Sequence, residues 1–327
     1  MKAIVFTANQ KYSLQNVATK QPQPGEVKVK IKAAGLNRRD LFLIDESATP
    51  ARPFILGSDG AGTIEDLGAG VTNYQVHDEV IINPSLDWDK ANTTPDIPQI
   101  LGGPTDGTFA EYVNVPCKNI IAKPDFLSWA EAGSLSLSAL TAYRALFTKG
   151  KLTYGKHLLI PGISGGVANY ALLFAKAIGA KVTVTSRDET KLKKAQQLGA
   201  DRLLKTTDNW TKELENDKVD VILDSIGEVL FPQYFTVLKP NGNLVNFGRS
   251  SGDTVKLSLS ALFFSQFNIL GTSMGSKEEF EQMIQFLTKH RIKPIIDSTF
   301  ELQDIKKAIS HMETSGQFGN IAISINR

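Results

Sequence analysis

Two textures of hydrophobic patterning divide the chain. Toward the N-terminus, apolar and charged positions alternate over short stretches. Glu26-Val27-Lys28-Val29-Lys30-Ile31-Lys32 has the period of two expected of a strand with one buried face. Met1–Phe6 and Glu79–Ile82 read as further strands, and Gly57, Gly60, Gly62, Gly68 and Gly70 punctuate the interval with tight turns. Asn83 to Gly107 is polar and holds Pro84, Pro95, Pro98 and Pro104. It reads as a long loop, and loops of this length in compact domains are functional or family-specific insertions.

After Pro124 the period changes. Residues 128–147 read as helices, and from His157 buried strands alternate with helical segments. The strands are His157–Ile160, Lys181–Thr185, Val219–Leu223, Asn243–Phe247 and Asn268–Leu270. Between the first two, Val167, Ala168, Ala171, Leu172, Ala175 and Ile178 recur at helical spacing, with Gly179 as the stop. A second helix runs from Glu189 to Leu198 and stops at Gly199. The alternation predicts an α/β domain with a doubly wound parallel sheet. Two late helices, Lys277–Lys289 and Gln303–Met312, follow, the first opened by a capping box of Ser276 and Glu279.

A chain of 327 residues is too long for one ordinary core and suits two domains. Apolar residues make up 42% and charged residues 21%, as in a soluble globular protein. Lys+Arg 36 against Asp+Glu 34 leaves +2, so charge argues for neither nucleic-acid nor membrane binding. Cys117 is the lone cysteine: it allows no internal disulfide and no cysteine-built zinc site, and it fits a reducing compartment. The N-terminus reads as a strand without signal-peptide layout. The longest apolar run, Leu257 to Leu270, is broken by Ser258, Ser260, Ser265, Gln266 and Asn268 and falls short of a bilayer span. A cytoplasmic protein is expected.

The chemistry starts at Pro161-Gly162-Ile163-Ser164-Gly165-Gly166-Val167-Ala168, between a strand and a helix of a βαβ unit. In a dinucleotide-binding fold such a turn brings backbone N–H groups and a helix N-terminus against a pyrophosphate. A side chain at Gly165 or Gly166 would block that approach, and Ala168 is an accepted substitute for the third glycine. About 20 residues on, the second strand ends at the position that reads the ribose. No carboxylate stands there, and Ser186, Arg187 and Lys191 can hold a 2′-phosphate dianion, which favours NADPH over NADH. The same residues have a structural reading: Ser186 and Glu189 as a capping box, Arg187 and Lys191 as a solvated helix face.

In order along the chain stand Ala33-Ala34-Gly35-Leu36-Asn37-Arg38-Arg39-Asp40-Leu41, Leu56-Gly57-Ser58-Asp59-Gly60-Ala61-Gly62, Asp106-Gly107-Thr108-Phe109-Ala110-Glu111-Tyr112, Leu140-Thr141-Ala142-Tyr143, the glycine loop, Gly199-Ala200-Asp201 and Asp224-Ser225-Ile226-Gly227. Over nearly its whole length the chain resembles the medium-chain dehydrogenase/reductase superfamily, and within it the zinc-free quinone oxidoreductase-like branch. The resemblance implies a GroES-like β-rich catalytic domain over residues 1–124, completed by about 273–327, and a Rossmann domain over 125–272 that binds NADPH. The active site would lie in the cleft between them, and members pair as homodimers through the last Rossmann strand, here around Phe267 to Thr272.

Zinc-dependent relatives use a cysteine in the first motif and a His-Glu pair in the second. Here Asn37 and Ser58-Asp59 stand in those places, and the four-cysteine structural zinc lobe has no counterpart. A catalytic zinc needs about three imidazole, thiolate or carboxylate ligands. His77, His157, His290 and His311 show no ligand spacing, and His157 and His311 read as structural, so no metal is expected. Without a Lewis acid, oxidising an unactivated alcohol is difficult, whereas reducing a conjugated carbonyl or quinone mainly requires orientation.

By resemblance, Asn37 and Asp40 line the cleft near nicotinamide and ribose, Thr141 contacts the nicotinamide side, and Tyr143 lies close by. Tyr143 has two readings, a donor to a developing oxyanion or a packed helix aromatic. Asp40 reads as a positioning residue rather than a base. Arg38 or Arg39 either neutralises a cofactor phosphate or faces solvent. Gly162, Ser164, Gly165, Gly166 and Val167 would surround the pyrophosphate. Ser225 would lie beside the cofactor track, Phe247, Gly248 and Arg249 at its nicotinamide end, and Asn320 replaces a lysine or arginine common at its position. Trp88 and its loop either shape the substrate pocket or lie on the surface. The expected activity is zinc-independent, NADPH-dependent reduction of a quinone or an α,β-unsaturated carbonyl. The rivals are an alcohol dehydrogenase with an unrecognised metal and a non-enzymatic NADPH-binding sensor.

Overall fold

The computed structural model describes residues 1–7, 11–46, 50, 52–314 and 316–325. They form two compact units, one of Met1–Leu140 with Gly275–Arg327 and one of Thr141–Met274. The change of texture suggested a boundary near residue 124, but residues 125–140 belong to the first unit. The helix Trp129–Gly133 packs on the strands Glu26–Leu36 and Asp59–Leu67, and the Ser136 hydroxyl donates to the Ile82 carbonyl at 2.7 Å.

The first unit is β-rich. Its larger sheet runs Ile120–Ala122, Glu79–Ile82, Asp59–Leu67, Glu26–Leu36, Asn320–Ser324, Ile296–Glu301, and Tyr112–Pro116 also pairs with Glu26–Leu36. The predicted strand at Glu26 continues to Leu36 because it finds pairing partners along its length, Asp59–Leu67 on one edge and Tyr112–Pro116 then Asn320–Ser324 on the other, while Val27, Val29 and Ile31 enter the core. Register breaks between Lys28/Val29 and Ile31/Ala33 bend it against Asp59–Leu67, as bulges do. The last strand closes the sheet antiparallel to the first long one, with Ile321 opposite Leu36 and Ala322 opposite Gly35. The core gathers Ile4, Phe6, Ile31, Leu56, Ile64, Phe109 and Ile323 with helix Ile305–Glu313, whose Ala308, Ile309 and Met312 face inward.

The loop after Asn83 folds back on this unit rather than lying loose. It contains the paired strands Ser85–Leu86 and Gln99–Ile100, and Trp88 is 2% exposed with its indole N–H donating to the Lys90 carbonyl. The carbonyls of Trp88 and Asp89 accept from Lys277 and Glu278 at the start of helix Lys277–His290, whose Ser276/Glu279 capping box is present as expected. Trp88 is a core residue; its polar neighbours hid that.

The second unit is a six-stranded parallel sheet ordered Arg202–Lys205, Lys181–Ser186, His157–Ile160, Val219–Asp224, Leu238–Asn246, Asn268–Gly271. This is the doubly wound order 3-2-1-4-5-6. Its central strands His157–Ile160 and Val219–Asp224 are largely buried, as expected of a sheet covered on both faces, whereas the edge strand Asn268–Gly271 is mostly exposed. One core joins Leu159, Ile222 and Leu244 to Trp210, Phe231 and Tyr234. His157 opens the first strand buried, its Nε2 2.7 Å from the Thr183 hydroxyl, and His311 pairs with Asp297 at 2.8 Å; both are structural, as expected.

Candidate active site

In the first unit, strand register assembles the polar cluster. Gly35 stands opposite Asp59, so Asn37, just past the strand end, meets Asp59 at the start of its neighbour. Gly35 is required there: a Cβ would fall 2.6 Å from the Ser134 Cα. The Asn37 Nδ2 donates to Asp59 Oδ2 at 2.9 Å and to the Gly35 carbonyl at 3.3 Å, and its Oδ1 accepts from the Ser138 hydroxyl at 3.3 Å. Asp59 Oδ1 accepts the Leu137 N–H at 2.7 Å. Asp40, in the first turn of helix Arg38–Glu46, takes the Asn37 backbone N–H on Oδ2 at 2.8 Å. Both carboxyls are closed to solvent. Burial pushes Asp59 up to about 7, against the Asn37 and Leu137 N–H donors. Burial likewise pushes Asp40 up to about 6, against the Asn37 N–H and the Arg39 charge.

Asp40 therefore fixes the start of its helix and the backbone of Asn37. Arg39 is half-buried and held by its own unit. Its guanidinium donates to Ser58 Oγ and to the carbonyls of Gly102 and Gly103, because that loop folds over it. Asn320 donates to the Ser134 carbonyl at 2.8 Å, a tie within the same unit. Ser138 was missed; a serine in an apolar helix gives no local signal.

The residues at the metal position do not fit a zinc ion. Asp59 supplies the single carboxylate among Asn37, Ser58 and Asp59, and both its oxygens are spent on N–H donors. The Arg39 cation already occupies Ser58. Among the described residues no group of three or more His, Cys, Asp or Glu could hold a metal ion.

In the second unit, Gly162 adopts φ +75 at the strand exit, the left-handed region where glycine is free of strain. Gly165 caps the helix Gly166–Ala177 without a side-chain hydrogen bond, leaving the first-turn N–H groups open. Its φ of −78° suits any residue, and a Cβ built on it meets nothing within 4 Å. Neither backbone nor packing demands glycine at 165, so the open space fits a bound pyrophosphate. Val167 lies in the first turn, and the Ser164 hydroxyl accepts from Lys191 Nζ at 3.0 Å.

The expected capping box of Ser186 with Glu189 is replaced. Ser186 pairs with Lys205 as the last strand residue, so the cap moves to Asp188, whose carboxylate accepts from the N–H groups of Thr190 and Lys191. Ser186 Oγ accepts the Asp188 N–H at 3.0 Å, and Arg187 is exposed with no ion pair to a described residue. Deeper in the unit, Asp224 fixes the neighbouring turns. It accepts from the N–H groups of Ile226 and Gly227, the Tyr234 hydroxyl and Asn246 Nδ2. Phe247 N–H donates to the Asp224 carbonyl, and Ser250 donates to that of Ser225, so Ser225, Phe247 and Gly248 share one latched set of turns. Arg249 lies exposed, 3.6 Å from Asp253. Thr141 is buried, and the half-buried Tyr143 ring packs edge-on against Phe147 and Phe174 at 4.9 and 6.3 Å.

Known proteins match along the whole chain. The family described as "Alcohol dehydrogenase GroES-like domain" matches residues 23–125, and "Zinc-binding dehydrogenase" matches 166–289. The "Zinc-type alcohol dehydrogenase-like protein YogA" of Leptosphaeria maculans is 34% identical, over 96% of this chain and 95% of its own. "Acryloyl-coenzyme A reductase" of Sulfurisphaera tokodaii is 26% identical over 99% of both chains. A solved structure described as "NAD-dependent alcohol dehydrogenase" superposes with a TM-score of 0.93 at 30% identity, covering 100% of each chain. With a β-rich unit completed by the C-terminus, a 3-2-1-4-5-6 sheet and relatives that span it end to end, the chain belongs to the medium-chain dehydrogenase/reductase superfamily.

Proposed function

We propose that this protein is a zinc-independent, NADPH-dependent reductase of a quinone or an α,β-unsaturated carbonyl. The observation that carries the reading is the Asn37–Asp59–Ser138 hydrogen-bonded cluster, built on positions to which the resemblance assigns metal ligands in zinc-dependent relatives and offering a single carboxylate. The name of the acryloyl-coenzyme A relative supports an activated double bond as acceptor.

The chemistry NADPH supplies when bound is a hydride. The N–H groups at Gly165 and Gly166 would hold the pyrophosphate at a helix N-terminus, with Gly162, Ser164 and Val167 around it. Arg187, with Ser186 and Lys191, would hold the 2′-phosphate, and the exposed guanidinium of Arg187 is free for it. Thr141, Phe247, Gly248 and Arg249 are the candidates for the nicotinamide half, Ser225 lies along the cofactor track, and Asn320 is the candidate at a position where relatives use a basic residue. Tyr143 is the candidate to donate a proton to the oxygen that becomes negative as hydride adds to the conjugated carbon. By the resemblance, Asn37 is the candidate polar residue near the nicotinamide, with Asp40 buried behind it and holding its backbone N–H. The edge strand Asn268–Gly271, beside the exposed Leu259, Phe263, Phe264 and Ile269, supports a homodimer through the last Rossmann strand. The lone Cys117 suits a cytoplasmic location, and no helix among the described residues is long and apolar enough to cross a membrane.

The test is oxidation of NADPH, with NADH alongside, by EDTA-treated protein given a simple quinone or enone. Turnover that prefers NADPH is expected. Activity restored solely by added zinc would overturn the metal-free reading in favour of the alcohol dehydrogenase one, which the relatives' names favour. NADPH binding without turnover would point to a sensor. Arg187→Glu should raise the Kd for NADPH at least about tenfold while leaving that for NADH nearly unchanged, since one charge-assisted contact is worth ~1.5–3 kcal/mol. Equal losses for both would sink the 2′-phosphate assignment.

A further inference from the structure

We infer that Asp59 is a positioning residue for the reductase reaction, acting through Asn37 and through the helix that carries Thr141; the inference rests on the function proposed above. Its two carboxylate oxygens serve different elements. Oδ2 accepts the Asn37 amide N–H at 2.9 Å and Oδ1 accepts the Leu137 N–H at 2.7 Å. Leu137 lies in the first turn of helix Ser136–Tyr143, which has no acidic residue of its own there, so Asp59 supplies from a distant strand the acceptor that a cap would provide. The same helix carries Ser138 and Thr141.

The Asn37 amide has two settings of nearly equal shape, related by exchange of its oxygen and nitrogen. Acceptors alone, Asp59 Oδ2 and the Gly35 carbonyl, stand on one side, and the Ser138 hydroxyl stands on the other. Those neighbours choose the setting with Nδ2 toward Asp59 and Oδ1 toward Ser138. A helix cap needs no charge, because Ser, Thr or Asn supplies the acceptor equally well. A carboxylate differs in offering two acceptors and no donor, which is the pattern that leaves Asn37 one orientation. Burial works against that carboxylate, so its place in a closed site is not explained by stability.

The test compares wild type, Asp59→Asn and the exchanged pair Asn37→Asp with Asp59→Asn at pH 8, by NADPH oxidation with 1,4-benzoquinone and by thermal melting. In Asp59→Asn, one amide N–H must face either Leu137 N–H or Asn37 Nδ2. The expected result is a kcat lower by about 10- to 100-fold with KM for both substrates within about threefold, as for misplacement in an otherwise assembled site. The exchanged pair restores the two hydrogen bonds of residue 59: the new amide takes the Leu137 N–H and donates to the new carboxylate at position 37, while the bond from Asn37 to the Gly35 carbonyl is lost. It should recover part of the melting temperature lost in Asp59→Asn while kcat stays low. Recovery of kcat together with melting would make Asp59 merely structural and overturn the inference, as would an unchanged kcat in Asp59→Asn. If wild type itself turns over neither quinone nor enone, the functional reading fails and the inference with it. Should Asp59→Asn fail to fold, Asp59→Ser, which leaves Asn37 in place and offers a single hydroxyl where two acceptors stood, decides: wild-type kcat overturns the inference, and folded protein with kcat lowered at unchanged KM upholds it.

Discussion

Asp59 binds its proton more tightly in the folded chain than in the unfolded one: burial raises it from 3.8 to about 7. Stability from this carboxyl is fully present below pH 4, where both states are protonated. It is lost as pH rises through the folded value, by at most ~1.4 kcal/mol per pH unit, and the loss levels off above about pH 7. Asp59→Asn removes that dependence. Wild type should therefore hold its largest stability advantage over the variant near pH 4.5 and a smaller one at pH 8, measured as urea midpoints. A gap that stays constant across that range would contradict a raised carboxyl. His157 runs the other way: burial lowers it, so its penalty falls at acid pH, and the comparison of two chains that both carry it cancels the effect. At this scale the sequence shows the residue types well. Asn37 and Asp59 were recognisable as replacements for metal ligands, but Ser138 was not legible, because its partner lies 101 residues away.

Among the elements, the strand–turn–helix unit from His157 to Ala177 was readable in advance. Its logic is local: an apolar strand, a glycine in the left-handed region, and a helix start left uncapped. Because a Cβ at Gly165 would meet open space, Gly165→Val should cost no more than the ~1 kcal/mol by which glycine is the better N-cap. It should nonetheless weaken NADPH binding by more than tenfold, read by quenching or transfer of nicotinamide fluorescence. Unchanged affinity would mean that nothing approaches the loop there. The next element was misread in its cap. The stretch Ser186-Arg187-Asp188-Glu189 offers two residues able to cap, and pairing of Ser186 with Lys205 draws the first into the strand. Local propensity could not decide this, because the deciding hydrogen bonds come from another strand.

For the molecule as a whole, the six-stranded sheet ends in Asn268–Gly271, paired on one side. Beside it helix Leu259–Ser265 has no buried residue, with Phe263 60% and Phe264 80% exposed. We propose the exposed aromatics and the open sheet edge as a pairing surface between two copies of the chain. Wild type should sediment as a dimer, and Phe263→Asp with Phe264→Asp should shift it to monomer while each unit stays folded by circular dichroism. A wild-type monomer at micromolar concentration would exclude pairing through this edge.

The short strands Ser85–Leu86, Gln99–Ile100 and Arg202–Lys205 were not legible in the chain alone, whereas the alternating runs of the second unit, the glycine turn and the basic residues after the second strand were. These are properties of residues and their near neighbours, where period and side-chain type suffice. The tertiary structure decided what those residues touch. Opposition of Gly35 and Asp59 across two strands turned Asn37 toward a carboxylate 22 positions on, and the fold of the polar loop onto helix Lys277–His290 buried Trp88. Register and packing between distant segments are set by the whole core, and no stretch of sequence carries them alone.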